Sequence, residues 1–116
     1  MTTQVPKAMA SLCLRDKVVI VTGGNSGIGK AIVEVVGSLG AKVVIDYRSH
    51  PDRTDDLIEE IGELGGQAIG VQADVGKLED LQRLVDTAVK TFGKVDVMVN
   101  NAGIETRTSI LDTTPD

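Results

Sequence analysis

Aromatic side chains are almost missing from this chain, which has one tyrosine, one phenylalanine and no tryptophan in 116 residues. That excludes a stacking platform for nucleic-acid bases, which needs several exposed rings. Charge excludes nucleic acid as well, because the net charge is −5 and no basic stripe offsets it. Cysteine occurs once, at Cys13, so there is neither a disulfide framework nor a thiolate metal cluster. A small half-buried residue ahead of the first strand is the expected role for Cys13. The one histidine, His50, lies beside Pro51 in a polar stretch and leaves no metal constellation to assemble. No apolar run reaches the length of a membrane-spanning helix. Residues 1–11 carry one lysine and no sustained apolar stretch, unlike a signal peptide. The expectation is a soluble, cytoplasmic chain with a modest core.

What is present is periodic. Short segments with apolar residues, β-branched from Val18 to Thr22 in the first, predict strands over 17–22, 42–47, 67–72 and 94–100. Between them, apolar residues at helical spacing predict three helices. The first, over 27–39, carries Ile28, Ile32, Val35, Val36 and Leu39 and is closed by Gly40. The second begins within 51–54, turns Leu57, Ile58, Ile61 and Leu64 inward, and ends at Gly65 and Gly66. The third, over 77–92, carries Leu78, Leu81, Leu84, Val85, Ala88, Val89 and Phe92 and stops at Gly93. Strands and helices alternating at these lengths imply a parallel α/β sheet built through right-handed crossovers.

Between the first strand and first helix lies Thr22-Gly23-Gly24-Asn25-Ser26-Gly27-Ile28-Gly29-Lys30-Ala31. Glycines there let the backbone turn tightly and let a ligand approach without meeting a Cβ. The first helical turn offers unpaired N–H groups and the positive end of the helix dipole, the elements of a pyrophosphate site. The fingerprint G-x-G-x-x-G does not fit the spacing. The phosphate loop G-x-x-x-x-G-K-[ST] fits from Gly24 to Lys30 but fails at Ala31, whose methyl group cannot ligate magnesium. The pattern Thr-Gly-x-x-x-Gly-x-Gly is matched in full by Thr22, Gly23, Gly27 and Gly29.

With that pattern the sequence resembles the short-chain dehydrogenase/reductase family. Asn100-Asn101-Ala102-Gly103 reproduces the family's Asn-Asn-Ala-Gly motif after an apolar strand, and Ala73-Asp74-Val75 matches its acidic residue after the third strand. Ile104-Glu105 and the stretch from Val43 to Ser49 are similar to the branch of glucose 1-dehydrogenases and 3-oxoacyl-carrier-protein reductases. The resemblance implies a Rossmann-like, doubly wound parallel sheet, of which this chain holds the N-terminal half, with strand order 3-2-1-4. It divides the chain into an N-terminal extension, 1–13, and a dinucleotide-binding half-domain, 14–116. It also implies an NAD(P)-dependent oxidoreductase that interconverts an alcohol and a carbonyl on a small-molecule substrate, commonly as a homo-oligomer.

Residue roles follow from the same resemblance. Gly23 and Gly29 give freedom and close approach, while Asn25, Ser26 and Ile28 contact pyrophosphate or ribose. Asp74 accepts from the adenine amino group with Val75 packed beside it, or else caps the third helix. Asn101, Ala102 and Gly103 line the ribose on the nicotinamide side. The end of the second strand selects the cofactor, since an acid there binds the ribose hydroxyls and repels a 2′-phosphate. The family's selecting acid aligns with Tyr47, and a one-residue offset turns Asp46 to the other face of the strand. Arg48 and Ser49 then stand where NADP-using members place phosphate partners. NADP is the expected cofactor, with NAD as the alternative that Asp46 represents.

The family's acid–base pair, a tyrosine with a lysine four residues later, has no match here. The only tyrosine is Tyr47, and position 51 is proline. No catalytic or metal-binding residue is therefore assigned, and family members are about twice this length. The chain reads as a cofactor-binding fragment that is inactive alone. A non-catalytic dinucleotide module, or a half-domain completed by a partner, is the second reading, and a phosphate-loop protein the third.

Overall fold

A computed structural model of the chain describes residues 13–101. Its elements are β1 (Val18–Val21), α1 (Gly27–Ser38), β2 (Lys42–Tyr47), α2 (Pro51–Glu63), β3 (Gln67–Gln72), α3 (Leu78–Phe92) and β4 (Val97–Val99). The four strands form one parallel sheet in the order β3-β2-β1-β4, as expected. β1 is buried along its whole length, which is why it reads as an unbroken apolar run.

Strand alternation sorts the core into two layers. Val19 and Val21 of β1 with Val43 and Ile45 of β2 meet Val33 of α1 and Leu57 and Ile61 of α2 on one face. Val18, Ile20 and Val44 meet Val71 of β3 and Leu84 and Ala88 of α3 on the other. Each fully buried side chain of this size contributes about 1.5–3 kcal/mol relative to exposure.

The helices do not bury every residue of the predicted stripes. Ile28 and Val35 are exposed, and α1 instead buries Gly29, Val33 and Gly37. A Cβ on Gly37 would overlap Ile61 Cδ1, so Ile61 of α2 packs directly against α1 where there is no side chain. Ile32 and Val36 of the predicted stripe pack against this core beside Val33, but hydrophobic periodicity cannot see the two glycine positions. Leu64, Leu78 and Val89 are likewise exposed, each at the margin of its helical stripe. Cys13 is exposed rather than half-buried.

β4 is shorter than the predicted 94–100. Asp96 is the reason: its N–H donates to Val18 O (2.9 Å), and its carboxylate accepts the Val18 N–H (2.8 Å). A side chain thus replaces one rung of the ladder. That bond and the Lys94 ammonium at 3.0 Å hold the Asp96 carboxyl below its ordinary pKa. Among the described residues no helix is long and apolar enough to cross a membrane.

Candidate functional site

The chain runs from β1 outward to β3, then crosses back to place β4 on the other side of β1. The loops that follow β1 and β4 therefore diverge at the carboxyl edge, the switch point where open α/β sheets bind ligands. The residues that the glycine pattern singles out lie on this edge.

The turn after β1 needs its glycines for two separate reasons. Gly23 (φ 61°) and Gly27 (φ 57°) lie in the left-handed region, where another residue costs roughly 1–2 kcal/mol. Gly29 is needed for space, because a Cβ there would overlap Gly23 O and lie 2.7 Å from Asn101 Nδ2. Over Gly27 the space is open. Ser26 precedes α1 without a side-chain capping bond, and the first turn of α1 holds no acidic residue. Its N–H groups and dipole are thus directed at the opening, where an anion fits. Ile28, 66% exposed, presents an apolar side chain beside them.

Three polar side chains brace the turn from below. Asn25 donates from Nδ2 to Ser49 O (2.8 Å) and His50 O (3.2 Å), tying the β1–α1 loop to the β2–α2 loop. His50 is held there with φ 61°. Thr22 donates its N–H (3.0 Å) and its Oγ1 (3.3 Å) to Val99 O, joining β1 to β4. Buried Asn101 donates from Nδ2 to Gly23 O at 3.2 Å. Beneath the same turn lies Asp46, 1% exposed. Its Oδ2 accepts the Gly23 N–H at 3.4 Å, and its carbonyl accepts the Gly24 N–H at 2.9 Å. Burial, opposed by the Gly23 N–H, pushes its pKa up to about 6.

The ends of β2 and β3 form the second half of the edge. The half-buried ring of Tyr47 turns toward β3, where a Cβ on Gly70 would lie 3.4 Å from Tyr47 Cε1. Asp46 faces the opposite way, toward α3, as the strand period predicts. Arg48 and Ser49 are exposed, and Arg48 Nη2 stands 3.9 Å from Asp74 Oδ2. Asp74 does not cap α3, whose N-cap is Lys77. It closes a local turn instead, accepting the Gly76 N–H at 3.0 Å, while its own N–H donates to Asp80 Oδ2 at 2.8 Å. Val75 packs against the α3 layer of the core.

A cavity of about 240 Å³ opens here, lined by Arg48, Gln72, Ala73, Asp74, Asp80 and Arg83. Sequence reasoning missed Gln72, Asp80 and Arg83. Gln72 Nε2 donates to Arg48 O (3.1 Å) and Arg83 Nη2 to Gln72 O (2.6 Å), so both hold the loop that carries Arg48. The available signal was the Asp80/Arg83 pair three residues apart near the start of α3, which a helix places on one face. A larger cavity, about 660 Å³, lies at the opposite, amino edge around Arg15, Leu39 and Gly65, away from every motif residue. Ala102 and Gly103, with Ile104 and Glu105, lie outside the described residues. Among the described residues no group of histidine, cysteine or acidic side chains is placed to hold a metal ion.

Comparison with known proteins agrees with this architecture. The family model described as short chain dehydrogenase matches residues 17–116. Glucose 1-dehydrogenase 2 of Bacillus subtilis is 50% identical over 90 residues, which are 78% of this chain and 35% of that protein. Versicolorin reductase of Emericella nidulans is 42% identical over 103 residues, 89% of this chain and 39% of that protein. Among solved structures, a dehydrogenase/reductase from Sinorhizobium meliloti superimposes with a TM-score of 0.77 at 32% identity, covering 84% of this chain and 38% of its own. A hydroxysteroid dehydrogenase from Escherichia coli gives 0.72 at 37% identity, covering 78% and 38%. The chain thus spans well under half the length of these relatives. By sequence match and by sheet order, it belongs to the short-chain dehydrogenase/reductase family, of whose fold it forms the N-terminal part.

Proposed function

We propose that this chain is the cofactor-binding part of an NAD(P)-dependent oxidoreductase acting on a small alcohol or carbonyl compound, with NADP preferred. The observation that carries the reading is the glycine turn. It has open space over Gly27, an α1 start without a side-chain cap, and no acid in the first helical turn.

In this reading the backbone at Ser26, Gly27 and Ile28 holds the pyrophosphate. Thr22, Gly23, Asn25 and Gly29 keep that backbone in shape, with Asn101 beneath it. The cavity between Arg48 and Arg83 receives the adenosine end, with Asp74 and Val75 at the adenine. Asn101, Ala102 and Gly103 line the ribose on the nicotinamide side. When bound, the cofactor supplies a hydride acceptor or donor for the substrate carbon. The chain's own part is to bind and orient. Tyr47 is no proton donor, since its ring lies over Gly70 and no lysine stands four residues on. Oligomerisation with further copies of the chain belongs to the same reading.

Preference for NADP rests on the placement of charge at the end of β2. Asp46 is buried and turned toward α3, so it offers no exposed carboxylate to the ribose hydroxyls. Arg48 keeps 73% of its side chain exposed and is fixed through its carbonyl by Gln72. A charge-assisted bond to a 2′-phosphate is worth about 1.5–3 kcal/mol. Fluorescence titration should therefore show NADPH binding more tightly than NADH. Arg48→Gln should weaken NADPH about tenfold or more and leave NADH nearly unchanged. Preference for NADH in the unsubstituted protein overturns the NADP assignment. Binding of neither overturns the dinucleotide reading.

A further inference from the structure

Asp46 is the one charged side chain among the buried described residues, and the binding scheme above gives it no contact with the cofactor. It nevertheless holds the glycine turn at two points, through Oδ2 to the Gly23 N–H and through its carbonyl to the Gly24 N–H. Its other carboxyl oxygen, Oδ1, is buried and has no hydrogen-bond partner among the described residues. A buried carboxylate with one long bond and one bare oxygen is costly, and neutralisation by a proton relieves that cost. The charged groups that act on it are Asp74 from the β3–α3 loop and Asp80 and Arg83 from α3, two acids against one guanidinium. An anion laid on the outer side of the same turn adds further repulsion and favours the neutral form.

We propose that Asp46 is a positioning residue of the glycine turn that takes up a proton from solvent when a dinucleotide pyrophosphate settles on that turn, so that cofactor affinity is linked to the protonation of this carboxyl. The proposal rests on the dinucleotide reading. Burial supports it by placing the free-state titration at about 6, where the linkage is readable. Below that value Asp46 is already neutral and affinity is highest; above it, binding must draw in a proton, and affinity falls as pH rises.

The test is calorimetric titration with NADH, which carries no titrating 2′-phosphate, in two buffers of different ionisation enthalpy. The unsubstituted protein should take up a substantial fraction of a proton near neutral pH and bind NADH about threefold to tenfold more tightly at about pH 5.5 than at about pH 8. Asp46→Asn should bind NADH with little proton uptake and a flat pH profile. His50→Gln, which removes the histidine of the neighbouring loop, should keep the uptake. Binding without proton uptake by the unsubstituted protein, or uptake that survives in Asp46→Asn, overturns the proposal. If Asp46→Asn does not fold, carboxyl-carbon NMR of the unsubstituted protein decides: the Asp46 resonance titrates at higher pH with NADH if the proposal holds, and at the same pH if it does not. Failure to bind NADH or NADPH at any pH overturns the dinucleotide reading and this proposal with it.

Discussion

Replacing Asp46 by asparagine keeps the shape of the side chain and removes its buried charge, which makes stability a direct measure of what that charge costs. The folded-state pKa of about 6 lies above the ordinary 3.8. Between those values the folded protein binds more protons than the unfolded chain, so the stability this group contributes is complete below 3.8 and is lost as pH rises through 6. The loss amounts to about 3 kcal/mol as an upper figure. Urea unfolding of Asp46→Asn should therefore give about 1–3 kcal/mol more stability at neutral pH and a flatter profile between about pH 4 and pH 7. At this scale the sequence was informative about direction: strand period alone sets Asp46 and Tyr47 on opposite faces. It could not show the burial, or that Asp74, Asp80 and Arg83, from other elements, would surround the carboxyl.

Two glycines at the start of α1 separate conformation from space. Gly29→Ala places a Cβ against the backbone oxygen of Gly23, which cannot move aside without breaking the turn. A loss of about 1–3 kcal/mol together with loss of cofactor binding is expected. Gly27→Ala meets no atom and carries only the strain of φ 57°, about 1–2 kcal/mol. Its Cβ enters the open space over the turn, so NADPH affinity should fall at least tenfold while the protein still folds. Urea melts paired with NADPH titrations check both. The boundaries of β2 and β3 were legible because turn residues flank short segments with apolar residues, Gly40 before β2 and Gly65 and Gly66 before β3. The inward face of α1 was legible only in part: Ile32 and Val36 pack against the core as their spacing predicts, whereas Gly29 and Gly37, also on the buried face, carry no hydrophobic signal. The start of β4 was not legible, because a carboxylate of Asp96 stands in for the backbone ladder.

For the whole molecule, ligand binding and folding are one equilibrium. If the carboxyl edge binds NADPH only when folded, the cofactor at a hundredfold excess over Kd stabilises the protein by about 2.7 kcal/mol. Thermal unfolding should therefore rise by several degrees with NADPH and remain unchanged with magnesium ATP, the ligand of a phosphate-loop protein that Ala31 argues against. A shift with magnesium ATP alone would reverse that choice. Such an effect depends on the sheet as a unit, because the loops proposed to hold the cofactor follow four different strands. The sequence by itself determined the alternation of strands and helices, the parallel sheet and the glycine turn, since each is written in spacing that neighbouring residues enforce. Only the tertiary structure decided that Gln72 and Arg83 hold the loop of Arg48, that Asn25 and Asn101 lock the turn, and that Asp46 is buried beneath it. Those contacts join residues far apart in the chain, and only packing the sheet between its helices brings them together.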